Sequence, residues 1–586
     1  MNTETQTQDN AGAVYDCAIL GTGLGGSMLG SILARHGKKV LMIDAGTHPR
    51  FAIGEATTPD TSFRMKLLSI KYDVPEILNL STFHKLRDHV SPACGVKRAF
   101  SFLYHRDGEE QDPKESHQYP TLAPPMGPDC HFFRQDTDSY MMGVAVGYGA
   151  EVRQQVRIAD IDFQDDGVRL ESEKGEVFRS RFLVDAAGFR SPVAQKMELR
   201  GDSAEMRTNS RAIFTHMHGV KAYDAVGQDP KSYGLPYAMS QSTLHHMFEG
   251  GWFWIIPFDN HDDSVNPLCS VGLMLNRDIH PETGMDAEEE FMSFVDRFPA
   301  MQRQFEGARA VRPWVSTRRV GYHSHSLTGD RYCLLAHAAG FVDPLYSSGL
   351  NLTTGHVDIL SRHLLQAFED DNFSAERFQP VQDFFQRGEK LFDEVVGSSF
   401  VSFRDYDLWD AWYRVWVVAL LVGTCLNAKL YLRYIQTGDR RVLDESNMAP
   451  YTGVIGSEFE AFVPVYQKAL SIIDEVRDDG LDPKVAAAQL RGLWKDVDFV
   501  PTYFDWSNPE VRSTPAFTVT GVTKMYFWYL LRSPKEIYRA LFDWSPITAY
   551  RYILRSIWDT RKSTGRRRRQ YVRDVFKAWN RDWSKA

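Results

Sequence analysis

The chain lacks several features that would assign its class at once. Its 586 residues hold only six cysteines, Cys17, Cys94, Cys130, Cys269, Cys333 and Cys425, with no CxxC pair among them. That excludes a disulfide framework and a thiolate zinc site, and points to a reducing, cytoplasmic compartment. No repeated or low-complexity stretch is present, and the 42 glycines and 27 prolines are ordinary for a folded chain of this length. The longest apolar run, residues 415–423, is about half of the ~20 residues that cross a bilayer, so no membrane span is expected. Residues 1–13 are polar and acidic, without the order of a signal peptide, and read as a disordered tail. Net charge is −9, yet residues 561–586 carry ten Lys/Arg against two Asp, so this end is +8 and the remainder −17. An acidic body of this kind excludes nucleic acid as the partner.

What is present begins with a nucleotide fingerprint. Residues 16–20 form a short apolar strand, followed by Gly21-Thr-Gly23-Leu24-Gly25-Gly26 and a helical stretch over 27–36. A second strand over 39–43 ends in Asp44, 21 residues past Gly23. Glycines let the backbone approach a pyrophosphate at a helix N-terminus, while the acid accepts from a ribose hydroxyl. No second fingerprint follows, so one dinucleotide is expected. Residues 152–182 alternate like a small sheet and lead into Asp185-Ala-Ala-Gly188; a buried strand near 332–336 precedes Phe341-Val-Asp343-Pro344-Leu-Tyr346-Ser-Ser348-Gly349 and a helix over 350–368.

The fold expected is α/β: a Rossmann-like dinucleotide-binding body over 14–395, an inserted antiparallel substrate sheet at about 200–330, and a helical C-terminal region over 396–586. The insertion contains a hairpin turning at Gly250-Gly251 into Trp252-Phe-Trp254-Ile-Ile-Pro257. The last segment places Val572, Phe576, Trp579 and Trp583 opposite Arg573, Lys577 and Arg581, a basic amphipathic pattern behind Arg566 to Arg569. It reads as packed helix, as a dock for an acidic carrier protein, or as peripheral contact with an anionic membrane at its inner face.

The three segments at 21–26, 185–188 and 341–349 resemble those of the FAD-dependent aromatic hydroxylase fold. Two more narrow the likeness to the flavin-dependent halogenases: Trp252 to Pro257 fits WxWxIP, and Gly95-Val-Lys97-Arg98 carries a lysine in that family's place. The stretch Gly54-Glu55-Ala56 also resembles the halogenase segment beneath the flavin.

The resemblance implies an oxidoreductase of secondary metabolism. Reduced FAD, supplied by a separate flavin reductase, activates dioxygen; chloride or bromide is oxidised to hypohalous acid, which halogenates an electron-rich ring. No metal is implied. Lys97 meets that oxidant as a hydrogen-bond donor or as a chloramine. Gly21, Gly23, Leu24, Gly26, Asp44, Glu55, Ala56, Arg134, Asp185, Gly188, His337, Asp343, Pro344 and Leu350 are the expected cofactor residues, with a surface role the alternative for Arg134. Ser348 and Gly349 offer backbone N–H groups to the halide or hold the flavin ring, and both readings stand together. Trp252, Trp254, Pro257 and Tyr346 are expected in the substrate pocket. Two departures matter. Ala336-His337 replaces the hydroxylases' Gly-Asp, and Tyr346 stands where tryptophan halogenases carry a glutamate that stabilises the ring cation. A phenol supports its own cation, so phenolic substrates, free or carrier-tethered, are favoured over pyrroles and over tryptophan. The runner-up is a hydroxylase or reductase of the same fold, and a redox-silent flavin scaffold comes last.

Overall fold

The computed structural model describes residues 14–444 and 454–559, together with residues 569, 571, 572 and 575. The tail over 1–13 and most of the basic C-terminal pattern lie outside the described residues. Six strands of the first sheet lie side by side in the order Thr328–Gly329, Tyr332–Leu334, Val177–Asp185, Val14–Leu20, Val40–Asp44 and Glu151–Gln154. A hairpin, Ile158–Gln164 with Gly167–Ser172, joins antiparallel at Val177–Asp185. The inner strands pair in parallel and are buried on both faces, which is why they read as continuous apolar runs. Leu20 lies opposite Asp185, so the turn at Gly21 and the Ala186-Ala187 turn emerge together at the strand ends. That is where doubly wound sheets bind ligands.

The second sheet runs Arg309–Ala310, Ser210–His218, Leu268–Asn276, Gly251–Pro257, Ser242–Phe248, Ala99–Tyr104 and Ser116–Pro120. It is not the contiguous insertion expected at 200–330. Two strands come from residues 99–120, and Ala99–Tyr104 pairs in parallel with Ser242–Phe248. A separate two-stranded ribbon pairs Gly95–Lys97 with Asp129–His131.

The boundary expected after residue 395 falls inside one continuous helix, Ala375–Ser402. A 32-residue helix, Tyr406–Thr437, follows; Asp405 caps its start by accepting from the Leu408 N–H, and Gly438, with φ 68°, ends it. This helix is long and apolar enough to cross a membrane by length and composition, contrary to the sequence reading, but 83% of its most apolar window is buried within the protein. Counting the unbroken run underestimated it because Asp410 and Arg414 interrupt the apolar stretch. They neutralise each other one turn apart at 2.7 Å, both 1% exposed. Trp409, Trp412 and Trp416 from this helix share one core with Phe100, Phe102, Trp252 and Trp254 of the second sheet.

Candidate active site

A cleft of about 820 Å³ opens at the strand ends, walled by Gly21, Asp44, Arg50, Ala187, Arg190, Arg200 and Tyr322 among others. Gly21 has φ +101°, and a Cβ there would lie 2.5 Å from the Ala186 carbonyl oxygen, so only glycine fits where the two turns meet. Asp44 accepts from the Thr22 N–H at 2.8 Å and hydroxyl at 2.7 Å, and its other oxygen takes Arg50 at 2.6 Å. Burial alone would raise its pKa, but these donors hold it below the usual carboxylate range.

The remaining cofactor residues divide by geometry. Gly23 and Leu24 open the helix Leu24–Arg35, with Gly23 at its N-cap, and Gly26 is buried in its first turns. Gly188, with φ 74°, turns the second segment. Asp185 is not free to face the cleft: it is fully buried and accepts from Ala187 N–H, Ser191 hydroxyl and Val193 N–H, so it shapes its own loop. Asp343 likewise accepts from Ser210 and the Leu345 N–H, and burial pushes it up to about 6. Arg134 is buried, not a surface residue; it pairs with Asp138 and donates to the Ile53 and Gly54 carbonyls, fixing the segment before Glu55. Glu55 pairs with His216 at 2.8 Å, and Ala56 bridges to His131. Leu350 belongs to the core behind the loop.

Loop 343–349 carries two consecutive non-glycine residues in left-handed conformation, Tyr346 with φ 68° and Ser347 with φ 57°. Each costs on the order of 1–2 kcal/mol. Two anchors hold them. The Tyr346 ring stacks on Trp416 at 4.5 Å and its hydroxyl bonds Ser399 at 2.8 Å; Ser347 accepts from Lys97. Ser348 and Gly349 follow at the head of the helix Ser348–Asp370, just after Pro344 and the Leu345–Ser347 turn. A Cβ at Gly349 would come 3.1 Å from His337 Nε2, and that nitrogen is buried without a partner among the described residues. Burial, then the nearby Arg134 charge, lowers His337 to about 4, so it faces this turn as neutral imidazole.

Lys97 is fully buried. Its amine donates to the Thr57 carbonyl at 2.7 Å and the Ser347 hydroxyl at 3.2 Å, and lies 3.5 Å from the centre of the Phe100 ring. It therefore ties the segment after Glu55-Ala56 to the loop bearing Ser348. Burial drives its pKa down against the opposing pull of Asp129, the residue across the ribbon. Rings continue outward from Phe100: Trp416 at 5.2 Å, then Tyr346, Phe102, His245 and Trp252. Trp252 and Trp254 are core residues of this wall at 1% and 5% exposure, and the Pro257 carbonyl accepts from His131. None of Trp252, Trp254, Pro257 or Tyr346 lines the apolar cavity of about 310 Å³ that opens nearby between Phe63, Leu122, Met126, Cys425, Phe517 and Tyr526.

Sequence reasoning missed Thr57, Ser347 and Asp129, because pairing between distant segments, not spacing along the chain, brings them to Lys97, and it missed Lys66, whose charge meets Asp129. The residues present fit FAD. The glycine turns leave room for a pyrophosphate at a helix start, Asp44 stands on the rim of the cleft, and His337 presents an unpaired buried nitrogen at the far turn.

Comparison with known proteins agrees with that fit. The tryptophan halogenase family model matches residues 109–396. The tetracycline 7-halogenase of Kitasatospora aureofaciens is 45% identical over 499 residues, 85% of this chain and 90% of that protein. The monodechloroaminopyrrolnitrin halogenase of Pseudomonas fluorescens is 35% identical over 542 residues, 91% and 95% of the two chains. The crystal structure of halogenase PltM with phloroglucinol and FAD superposes with a TM-score of 0.82 at 33% identity, covering 85% of this chain and 100% of that one. With a nucleotide fingerprint, a buried lysine beside the flavin-family loop, and relatives aligned over nearly their whole length, the chain belongs to the flavin-dependent halogenases, oxidoreductases that use FAD, dioxygen and a halide to halogenate aromatic secondary metabolites.

Proposed function

We propose that this enzyme halogenates a phenolic ring, free or tethered to a carrier protein, with Lys97 as the residue that meets the oxidised halogen. The observation that carries the reading is the Lys97 amine, sealed from solvent, bonded to Ser347 next to Ser348 and Gly349, and set against Phe100 at the start of an aromatic wall. Reduced FAD, supplied by a separate flavin reductase, would reduce dioxygen, and the dioxygen so activated would be the oxidant that turns chloride or bromide into hypohalous acid. Gly21, Gly23, Gly26 and Asp44 would hold its nucleotide half and Glu55, Ala56, His337 and Pro344 its ring end, while the N–H groups of Ser348 and Gly349 hold the halide. As an ammonium, Lys97 donates a hydrogen bond to the hypohalous acid. As an amine, it takes the halogen and releases water, then passes the halogen to a ring carbon that loses its proton.

Tyr346 cannot act as the missing glutamate does, since burial raises its pKa and its hydroxyl is engaged with Ser399. A substrate that delocalises its own charge fits that lack. Relatives point both ways on ring type: one solved relative holds phloroglucinol, while another is named for monodechloroaminopyrrolnitrin and a third for a pyrrole on a peptidyl carrier protein. The net +8 segment over 561–586 would serve carrier docking on this reading, and the six free, buried cysteines suit a cytoplasmic location.

The test is product formed per reduced FAD oxidised. Lys97→Ala should lose halogenation while still binding FAD and consuming oxygen, and Lys97→Arg should not rescue it, because guanidinium stays charged. Near-normal product from Lys97→Ala would sink the assignment. Offered a phenol and its methyl ether, the enzyme should halogenate the phenol alone; equal turnover would refute the substrate argument.

A further inference from the structure

Lys97 is not the one buried amine in this region. Lys66, on the helix Pro59–Lys71, is 1% exposed; its amine donates to the carbonyls of Met126 at 2.8 Å and Ser62 at 3.3 Å. Asp129 is the carboxylate whose charge acts on both amines; it is fully buried, lies directly across the ribbon from Lys97, and shares Ser62 with Lys66. One Asp129 oxygen accepts from Ser62 at 2.7 Å; the other is buried with no hydrogen-bond partner among the described residues. A buried charge needs a counter-charge. Here two ammonium groups face one carboxylate.

The other titratable groups do not change that count. Cys130 and His131 come from the paired strand and His245 from the sheet behind; burial raises the thiol and lowers both imidazoles to about 3, so all three are neutral. Tyr119 also faces Asp129, and burial raises its phenol. Lys85, on the helix Phe83–His89, adds a further positive charge near Lys66. One of the two buried amines can be matched by Asp129, and the other is pressed to shed its proton.

We infer that Asp129 is a positioning residue for Lys97: it is the buried counter-charge that decides whether that amine carries its proton, and Lys66 competes for it. The inference rests on the role proposed for Lys97. It is tested on the full-length enzyme by the pH dependence of product formed per reduced FAD oxidised, a ratio that excludes flavin binding and oxygen uptake. Asp129→Asn removes the counter-charge at nearly constant shape, so the limb governed by Lys97 should move toward acid by about one pH unit or more. That direction holds whether amine or ammonium is the active form. Lys66→Met removes the competitor, so the limb should move toward alkali by a similar amount. Thermal melts and flavin fluorescence report folding in each variant.

Limbs that stay at the wild-type pH in folded variants, with only the amplitude changed, would overturn the inference. Should Asp129→Asn fail to fold, the alkaline shift of Lys66→Met decides alone. Lys97→Ala is measured beside them. If it retains full activity, the reading of Lys97 fails and this inference with it; if it is inactive while the limbs stay put, only the role of Asp129 fails.

Discussion

Burying the Lys66 amine costs the folded chain more as pH falls. Burial lowers its pKa from 10.5 to about 7, so between those values the unfolded chain holds a proton that the native state does not. Stability therefore rises with pH across that window, and the penalty is complete at and below pH 7. Lys66→Met should stabilise the protein by about 2 kcal/mol near pH 6, with the gain shrinking toward pH 10. Denaturant titrations at several pH values check this; a gain independent of pH would show that folding leaves the amine's pKa unshifted. Tyr346 separates ring from hydroxyl. Tyr346→Phe should cost about 1 kcal/mol for the bond to Ser399, and Tyr346→Ala about 3–5 kcal/mol for the stack on Trp416. Such residues were unevenly legible. Gly21 and Asp44 could be read because strand, turn and helix lie close in sequence, and Lys97 through family likeness. Asp129 could not, since cross-strand pairing 32 positions away creates its role.

At the scale of elements, the turn between Val14–Leu20 and Leu24–Arg35 is the least replaceable. Gly21→Ala forces a side chain into the Ala186 carbonyl at a backbone angle that disfavours it, and should abolish FAD retention as read by flavin fluorescence. The contrast is Gly143, inside the helix Arg134–Gly147 with nothing within 4 Å of its added Cβ; Gly143→Ala should leave flavin binding alone and gain roughly 0.5–1 kcal/mol. Strands and helices with local signals matched expectation: the hairpin at Gly250, the hairpin over 158–172 and the helix from Ser348. Elements decided by distant partners did not. Ala99–Tyr104 pairs with a strand some 140 residues on, and Tyr406–Thr437 looked short because its buried ion pair splits the apolar run.

For the whole molecule, charge is divided between an acidic body and a basic end. If residues 561–586 recruit a carrier protein, their removal should weaken turnover of the tethered substrate and spare a small free phenol, and the full-length advantage should fade between low salt and ~0.15 M, where screening acts within about 8 Å. Equal losses on both substrates would assign the segment to the fold. The helix Ala375–Ser402 starts against the strand Thr328–Gly329 of the nucleotide-binding sheet and ends against Tyr406–Thr437 and Val463–Asp478. A rod embedded in both halves cannot let one melt while the other survives. Scanning calorimetry should accordingly record one endotherm, with calorimetric and van't Hoff enthalpies in near agreement, where a chain of separable domains would give two.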